Sequence, residues 1–228
     1  MINGILLINK QKGITSYDVI RKLKKVLPKG QKIGHAGTLD PFATGLLIIL
    51  LGKYTKQMVN ILNMEKEYIV KAEFGYSTDT QDVTGKKVNV SEELKKIEKE
   101  KLEQILQKEF IGNILQTPPQ FSAKKIKGKK AYEYARKGVE VKLKPKEVTI
   151  KKFNIVEYLW PYVSFNIICS SGTYIRTLVN DLGEFLGTYA TAVNLERVKI
   201  GKYSLTKALN SEDIKEGMGL KSILIKND

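Results

Sequence analysis

Residues 32–52 read KIGHAGTLDPFATGLLIILLG. The stretch sets four glycines, the chain's only histidine and an Asp-Pro pair against the longest apolar run, Leu46 to Leu51. A short run of this kind is a buried strand or a buried helix, and periodicity does not separate the two. Asp40 ahead of Pro41 is a favoured pairing for an N-cap and first helical turn, so the sequence predicts a short buried helix running into a strand. On these residues alone Asp40 is a helix cap. His35, between Gly34 and Ala36, reads as a structural or surface histidine.

Working outward, GILLINK before this stretch reads as a buried strand ended by Gly13. TSYDVIRKLKKVLPKG is a helix capped by Thr15 or Ser16, with Val19, Ile20, Leu23, Val26 and Leu27 on one face. After it, EKEYIVKAEFG alternates as a strand, which makes Tyr68 a core residue. SEELKKIEKEKLEQILQKEFIG reads as a solvent-facing helix capped by Ser91. The paired prolines of QTPPQFSAKK exclude regular structure there, and AYEYARKG suits a short helix. EVTIKKFNIVEY and YVSFNIICS are strands. SGTYIRTLVNDLGEFLG is an amphipathic helix whose Arg176, near the start, reads as a surface charge. RVKIGKYSLTKAL is a last strand-like piece before a tail over residues 210–228. Strands and helices do not alternate regularly, so the fold class is α+β with a mixed, largely antiparallel sheet flanked by helices.

The 228 residues are 42% hydrophobic, enough for a sizeable core in one domain, with or without an insertion. Cys169 is the single cysteine, which excludes an internal disulfide and fits a reducing cytoplasm. The first residues, MINGILLINKQKG, lack a basic lead and a cleavage site, and read as a strand rather than a signal peptide. Net charge is +15, unevenly spread. Residues 86–152 carry 19 basic and 9 acidic side chains, whereas residues 153–228 carry 8 of each. A stripe this localised points to a polyanion, above all nucleic acid; the plainer reading is a lysine-rich solvated surface.

Little catalytic equipment is visible. One histidine and one cysteine cannot form a His/Cys metal cage, and STDTQD lacks a calcium-ligand set. GHAG is too short for a nucleotide-phosphate loop. SSGTY could cradle a phosphate at a helix start, but Ser-Gly turns are common.

Taken together, the segments resemble one family. GHAGTLDPFATGLL resembles the hallmark motif of the TruB-type tRNA pseudouridine synthases. KEYIVKAEFGYSTDTQDVTG is similar to that family's second motif, with its tyrosine at Tyr68. QTPPQFSAKKIKGKKAYEYARKG resembles its thumb-like tRNA-binding segment, and CSSGTYIRTLVNDLGEFLG its third motif, with the arginine at Arg176. LERVKIGKYSLTKAL resembles the end of its catalytic domain, with the leucine at Leu195. The blocks run in order from about residue 3 to 209.

The resemblance implies a pseudouridine synthase domain over residues 1–209, with a basic thumb at about 120–152 inside it. It implies isomerisation of uridine 55 in the TΨC loop of tRNA, without cofactor or metal. An ordinary glycosidase needs two carboxylates, one to activate water and one to protonate the leaving group. Here no water is consumed and the uracil is retained, so one carboxylate suffices. By resemblance Asp40 is that carboxylate, Arg176 the guanidinium that keeps it charged against burial, and Tyr68 the ring that stacks on the target base. Leu195 is an apolar wall. His35 fills the space left by the flipped base, and Gly37 lets backbone approach RNA. Lys124, Lys125, Lys127, Lys129 and Lys130 hold phosphates. Attack at C1′, addition to the base and elimination through a glycal remain open. The implied protein is a cytoplasmic monomer that acts on the T-arm of tRNA, away from membranes and without a nucleotide cofactor.

Two features depart from the family. Its C-terminal PUA-type RNA-binding domain would not fit in the tail, and Glu196-Arg197 stands where two arginines are frequent, which puts one phosphate contact in doubt. The competing readings are a non-catalytic RNA-binding or tRNA-folding protein on the same scaffold, and a synthase for another RNA, such as a guide-dependent rRNA enzyme. The intact Asp40, Tyr68 and Arg176 weigh against the first, and the missing PUA-type domain against the second.

Overall fold

The computed structural model describes residues 1–126, 128–215, 219, 224 and 225. The chain divides into two compact units, one built from Met1–Ile69 and Leu195–Asp228, the other from Val70–Asn194.

The first unit begins with β1 (Gly4–Lys10), α1 (Ser16–Val26), β2 (Ile33–Ala36), β3 (Thr44–Leu51), α2 (Met58–Asn63) and the start of β4 (Lys66–Phe74). Helix α1 forms where the capping signal stands. The Thr15 side chain accepts the Asp18 N–H while the Asp18 carboxylate accepts the Thr15 N–H, a reciprocal box that decides between Thr15 and Ser16. Val19, Ile20 and Leu23 turn inward, as their spacing predicts.

The run Leu46–Leu51 is strand throughout, and no helix lies between it and β2. The expectation that Asp40-Pro41 opens a helix is therefore wrong. Asp40 and Pro41 are the first two residues of a tight turn, closed by Ala43 N–H on the Asp40 carbonyl at 3.1 Å. Asp and Pro suit those turn positions as well as they suit a helix start. Strand β3 is unalternating because both its faces are covered. Both its edges are used as well. β1 runs antiparallel along one, and the other is shared by β2, antiparallel, and a parallel bridge to residues 196 and 197.

The second unit holds the rest of β4 and a hairpin of β5 (Tyr76–Thr78) and β6 (Lys87–Val90). There follow α3 (Lys99–Glu109), β7 (Gly112–Gln116), β8 (Lys125–Ile126), β9 (Lys129–Lys130), α4 (Ala131–Ala135), β10 (Lys146–Leu159), β11 (Tyr162–Cys169) and α5 (Ile175–Phe185). Its sheet runs β4-β11-β10-β7, with β10 antiparallel to both neighbours. Phe153 meets Phe165 and Phe110 edge to face, and Phe110 meets Phe185 likewise. The expected helix from Ser91 is a correction: α3 begins at Lys99, and the Ser91 N–H is bound instead to the Gly75 carbonyl beside the hairpin.

β12 (Ala190–Ile200) runs back from the second unit into the first, beginning earlier than the sequence suggests. The first unit then closes with β13 (Tyr203–Ser204) and β14 (Leu209–Asn210), the latter parallel to β1. Ile225, in what reads from sequence as a plain tail, bridges Ile5. Among the described residues no helix is long and apolar enough to cross a membrane. The α+β class with a mixed, largely antiparallel sheet is as the sequence predicts.

Candidate active site

The loop bearing Asp40 is held by both side chains and backbone of its neighbours. Ser16, at the start of α1, donates to the Leu39 carbonyl and accepts the Leu39 N–H, at 3.2 and 2.9 Å. Gly13 N–H donates to the Pro41 carbonyl at 2.7 Å. Leu39 and Phe42 are buried on either side of the half-buried Asp40.

Two buried cations complete the support, and sequence reasoning assigns neither. Lys10 ends β1 with no exposed surface, its ammonium donating to the carbonyls of Gln11 and Ile14 at 2.9 Å and reaching that of Pro41 at 3.5 Å. Burial pushes the Lys10 ammonium down to about 8, although the charge of Asp40 opposes the shift. Arg197, 1% exposed, donates to the carbonyls of Leu46, Gly37 and Thr38 at 2.8, 2.9 and 3.4 Å. Its guanidinium is spent on the backbone of the Asp40 loop, so Arg197 serves structure and not a phosphate. The signal for both residues was a cation set among apolar strand residues, where an unpaired charge is costly.

Glycine is required where Arg197 passes. A Cβ on Gly45 would lie 2.4 Å from the Arg197 carbonyl oxygen, and Gly45 has φ +103°. Gly37 has φ +99°, and a Cβ there would press on the guanidinium at 3.3 Å.

His35 lies on β2 opposite Ile49. Its Nδ1 is buried without a hydrogen-bond partner. Burial first, and the Arg197 charge second, hold its imidazole below the usual range, so it is neutral at physiological pH. Tyr68 and Leu195 are buried in the same unit, at 7% and 5% exposure. His35, Gly37, Asp40, Tyr68 and Leu195 all belong to the first unit, as do Lys10 and Arg197, which bind the backbone of the Asp40 loop.

Arg176 and the thumb belong to the second unit. Arg176 is only 3% exposed, which corrects its reading as a surface charge. Its guanidinium donates to the carbonyls of Thr80 and Phe121 at 2.5 and 2.8 Å, and its Nε lies 3.9 Å from the carboxylate of Asp82. Asp82, also buried, is in turn fixed by Thr80 and by the N–H and hydroxyl of Thr84. A buried pair of this kind is strongly destabilised by loss of one partner. In the thumb, β8 and β9 form a small antiparallel hairpin that presents exposed Lys125 and Lys129. Lys124 reaches the Lys144 carbonyl at 3.4 Å and Lys130 the Tyr132 hydroxyl at 3.4 Å. Lys127 lies outside the described residues.

A family model described as TruB family pseudouridylate synthase (N terminal domain) matches residues 24–175, the span that carries the Asp40 loop, Tyr68 and the thumb. The chain belongs to this family. Among TruB-family relatives, the tRNA pseudouridine synthase B of Fusobacterium nucleatum is 48% identical over 204 residues, 90% of this chain and 70% of that protein. The protein of the same name from Endomicrobium trichonymphae is 45% identical over 93% of this chain and 91% of its own length. The fold is similar to that of a solved Cbf5-Nop10-Gar1 complex, with TM-score 0.69 and 26% identity. The match covers 92% of this chain and about half, 53%, of the matched chain. This TruB-family chain is thus a pseudouridylate synthase by family.

Proposed function

We propose that this chain converts uridine 55 in the TΨC loop of tRNA to pseudouridine, with Asp40 as the reacting carboxylate. The observation that carries the reading is the Asp40 turn, a half-buried carboxylate whose flanking backbone, at Gly37, Thr38, Leu39 and Pro41, is bound by Ser16, Gly13, Lys10 and Arg197. A carboxylate carried on a backbone so held loses less freedom on meeting substrate, which favours a near-attack geometry. In the reaction the N1–C1′ bond breaks, the uracil turns, C5 bonds to C1′, and the C5 proton is lost while N1 gains one. No water and no redox equivalent enters.

The base has to leave its stack, at a cost of a few kcal/mol. His35, neutral and short of a partner at Nδ1, is suited to fill the gap with a polar aromatic ring. Tyr68 is the stacking ring and Leu195 an apolar wall of the uracil site, and Gly37 admits the RNA backbone. Arg176 is the cation of the reaction. The thumb lysines, Lys124, Lys125, Lys129 and Lys130 among the described residues, hold phosphates. Relatives named tRNA pseudouridine synthase B support tRNA as the substrate class. The enzyme is read as a cytoplasmic monomer, in line with its single buried cysteine.

The test is incubation of the chain with an unmodified T-arm stem-loop, followed by pseudouridine mapping. Pseudouridine at the TΨC-loop uridine is the expected product. RNA bound without product would favour the non-catalytic reading, and product only on another RNA would move the substrate.

A further inference from the structure

Helix α5 starts without the side-chain cap a helix usually has, since Tyr174 at its N-cap forms no such bond. Another element holds the N-cap residue's own backbone instead. Gln116, the last residue of β7 and 2% exposed, accepts the Tyr174 N–H at 2.8 Å and donates its amide to the Tyr174 carbonyl at 3.0 Å. One side-chain amide thus pairs with both backbone groups of a residue two positions before Arg176. Along the same segment, the Phe121 carbonyl accepts from the Arg176 guanidinium at 2.8 Å. Between these two anchors lie Pro118 and Pro119, both buried, whose rings fix the backbone. The thumb begins directly afterwards.

We infer that Gln116 is a positioning residue for Arg176. It fixes the backbone from which the guanidinium extends. The proline-stiffened segment that Gln116 begins fixes the carbonyl to which the guanidinium donates. One strip of chain thus acts on the arginine at both ends, alongside the Thr80 carbonyl and the Asp82 carboxylate. The inference rests on the proposed catalytic role of Arg176. The plainer alternative is that Gln116 only stabilises the start of α5.

Single-turnover conversion of an unmodified T-arm stem-loop separates these, measured with RNA affinity and melting temperature. Gln116→Met keeps the shape and removes both hydrogen bonds. A misplaced reacting group costs on the order of 100-fold, so conversion should slow by about that factor while RNA affinity is unchanged. Gln116→Glu keeps the acceptor for the Tyr174 N–H and loses the donor, and should fall between; it also carries the test if Gln116→Met fails to fold. In an Arg176→Lys background, Gln116→Met should add almost no further loss, because both act through one group. Equal slowing in both backgrounds, or a wild-type rate for Gln116→Met beside a slow Arg176→Lys, would overturn the inference. A wild-type rate for Arg176→Lys itself would instead remove the role proposed for the arginine.

Discussion

Asp40 owes its position to bonds made by the backbone around it. Its own turn, Ser16, Gly13, Lys10 and Arg197 all act on carbonyls or N–H groups of residues 37–43. An amide at position 40 would keep every one of these contacts. Asp40→Asn removes the charge that favours the Lys10 ammonium, so it is expected to lower melting temperature slightly, to leave RNA affinity near wild type and to lower turnover by a factor on the order of 10³ or more, as loss of an acid–base or nucleophilic carboxylate does. Stopped-time pseudouridine assays beside RNA-binding measurements check it, and sustained turnover would remove Asp40 from the chemistry. Much of this site was legible only through the resemblance. Asp-Pro alone pointed to a helix cap, because a turn and a helix start favour the same pair. The loop's supports were illegible for a different reason: Ser16 and Arg197 reach it across 23 and 160 positions of chain, and no local pattern encodes contacts so remote.

The elements divide along similar lines. Helix α1 was readable because capping box and apolar face lie within its own residues. The start of α3 lies later than its sequence predicts because Ser91–Glu98 has helical composition, yet Ser91 is drawn to Gly75 by the hairpin. Helix α5 stands where its sequence predicts, but its Arg176 is buried rather than exposed, since the carbonyls and carboxylate that receive it come from two other segments, the Thr80–Asp82 loop and Phe121. The same helix carries a pH response. Burial, then the neighbouring Glu184, push the Asp181 carboxyl up to about 6 from the ordinary 3.8. The native state then binds the proton more tightly than the unfolded chain does. The stabilisation is fully present below pH 3.8 and is lost as pH rises through about 6. Asp181→Asn should flatten that slope, melting closer to wild type at pH 4 and above it at pH 7. Thermal melts across this range decide, and parallel curves for the two proteins would contradict the assignment.

For the molecule as a whole, the distribution of charge matters more than its sum. The excess sits over residues 86–152, where the thumb holds Lys125 and Lys129 in the open. RNA affinity should fall steeply with added salt, with a logarithmic slope of about −0.7 to −0.9 for each phosphate neutralised. Lys125→Ala with Lys129→Ala should reduce the slope by about 1 to 2 without changing the single-turnover rate at saturating RNA. Titrations between low and moderate salt read this directly, and an unchanged slope would place the RNA contacts elsewhere. The first unit carries one more consequence, for the order in which the protein is made. Its chain comes from both sides of the second unit. The ribosome releases Gly37 and Asp40 early, but the arginine that grips Gly37 follows 160 positions later. The second unit, being continuous, can fold during that interval. The aspartate loop cannot be set until β12 emerges, so a nascent chain short of residue 197 lacks the arginine that completes that loop.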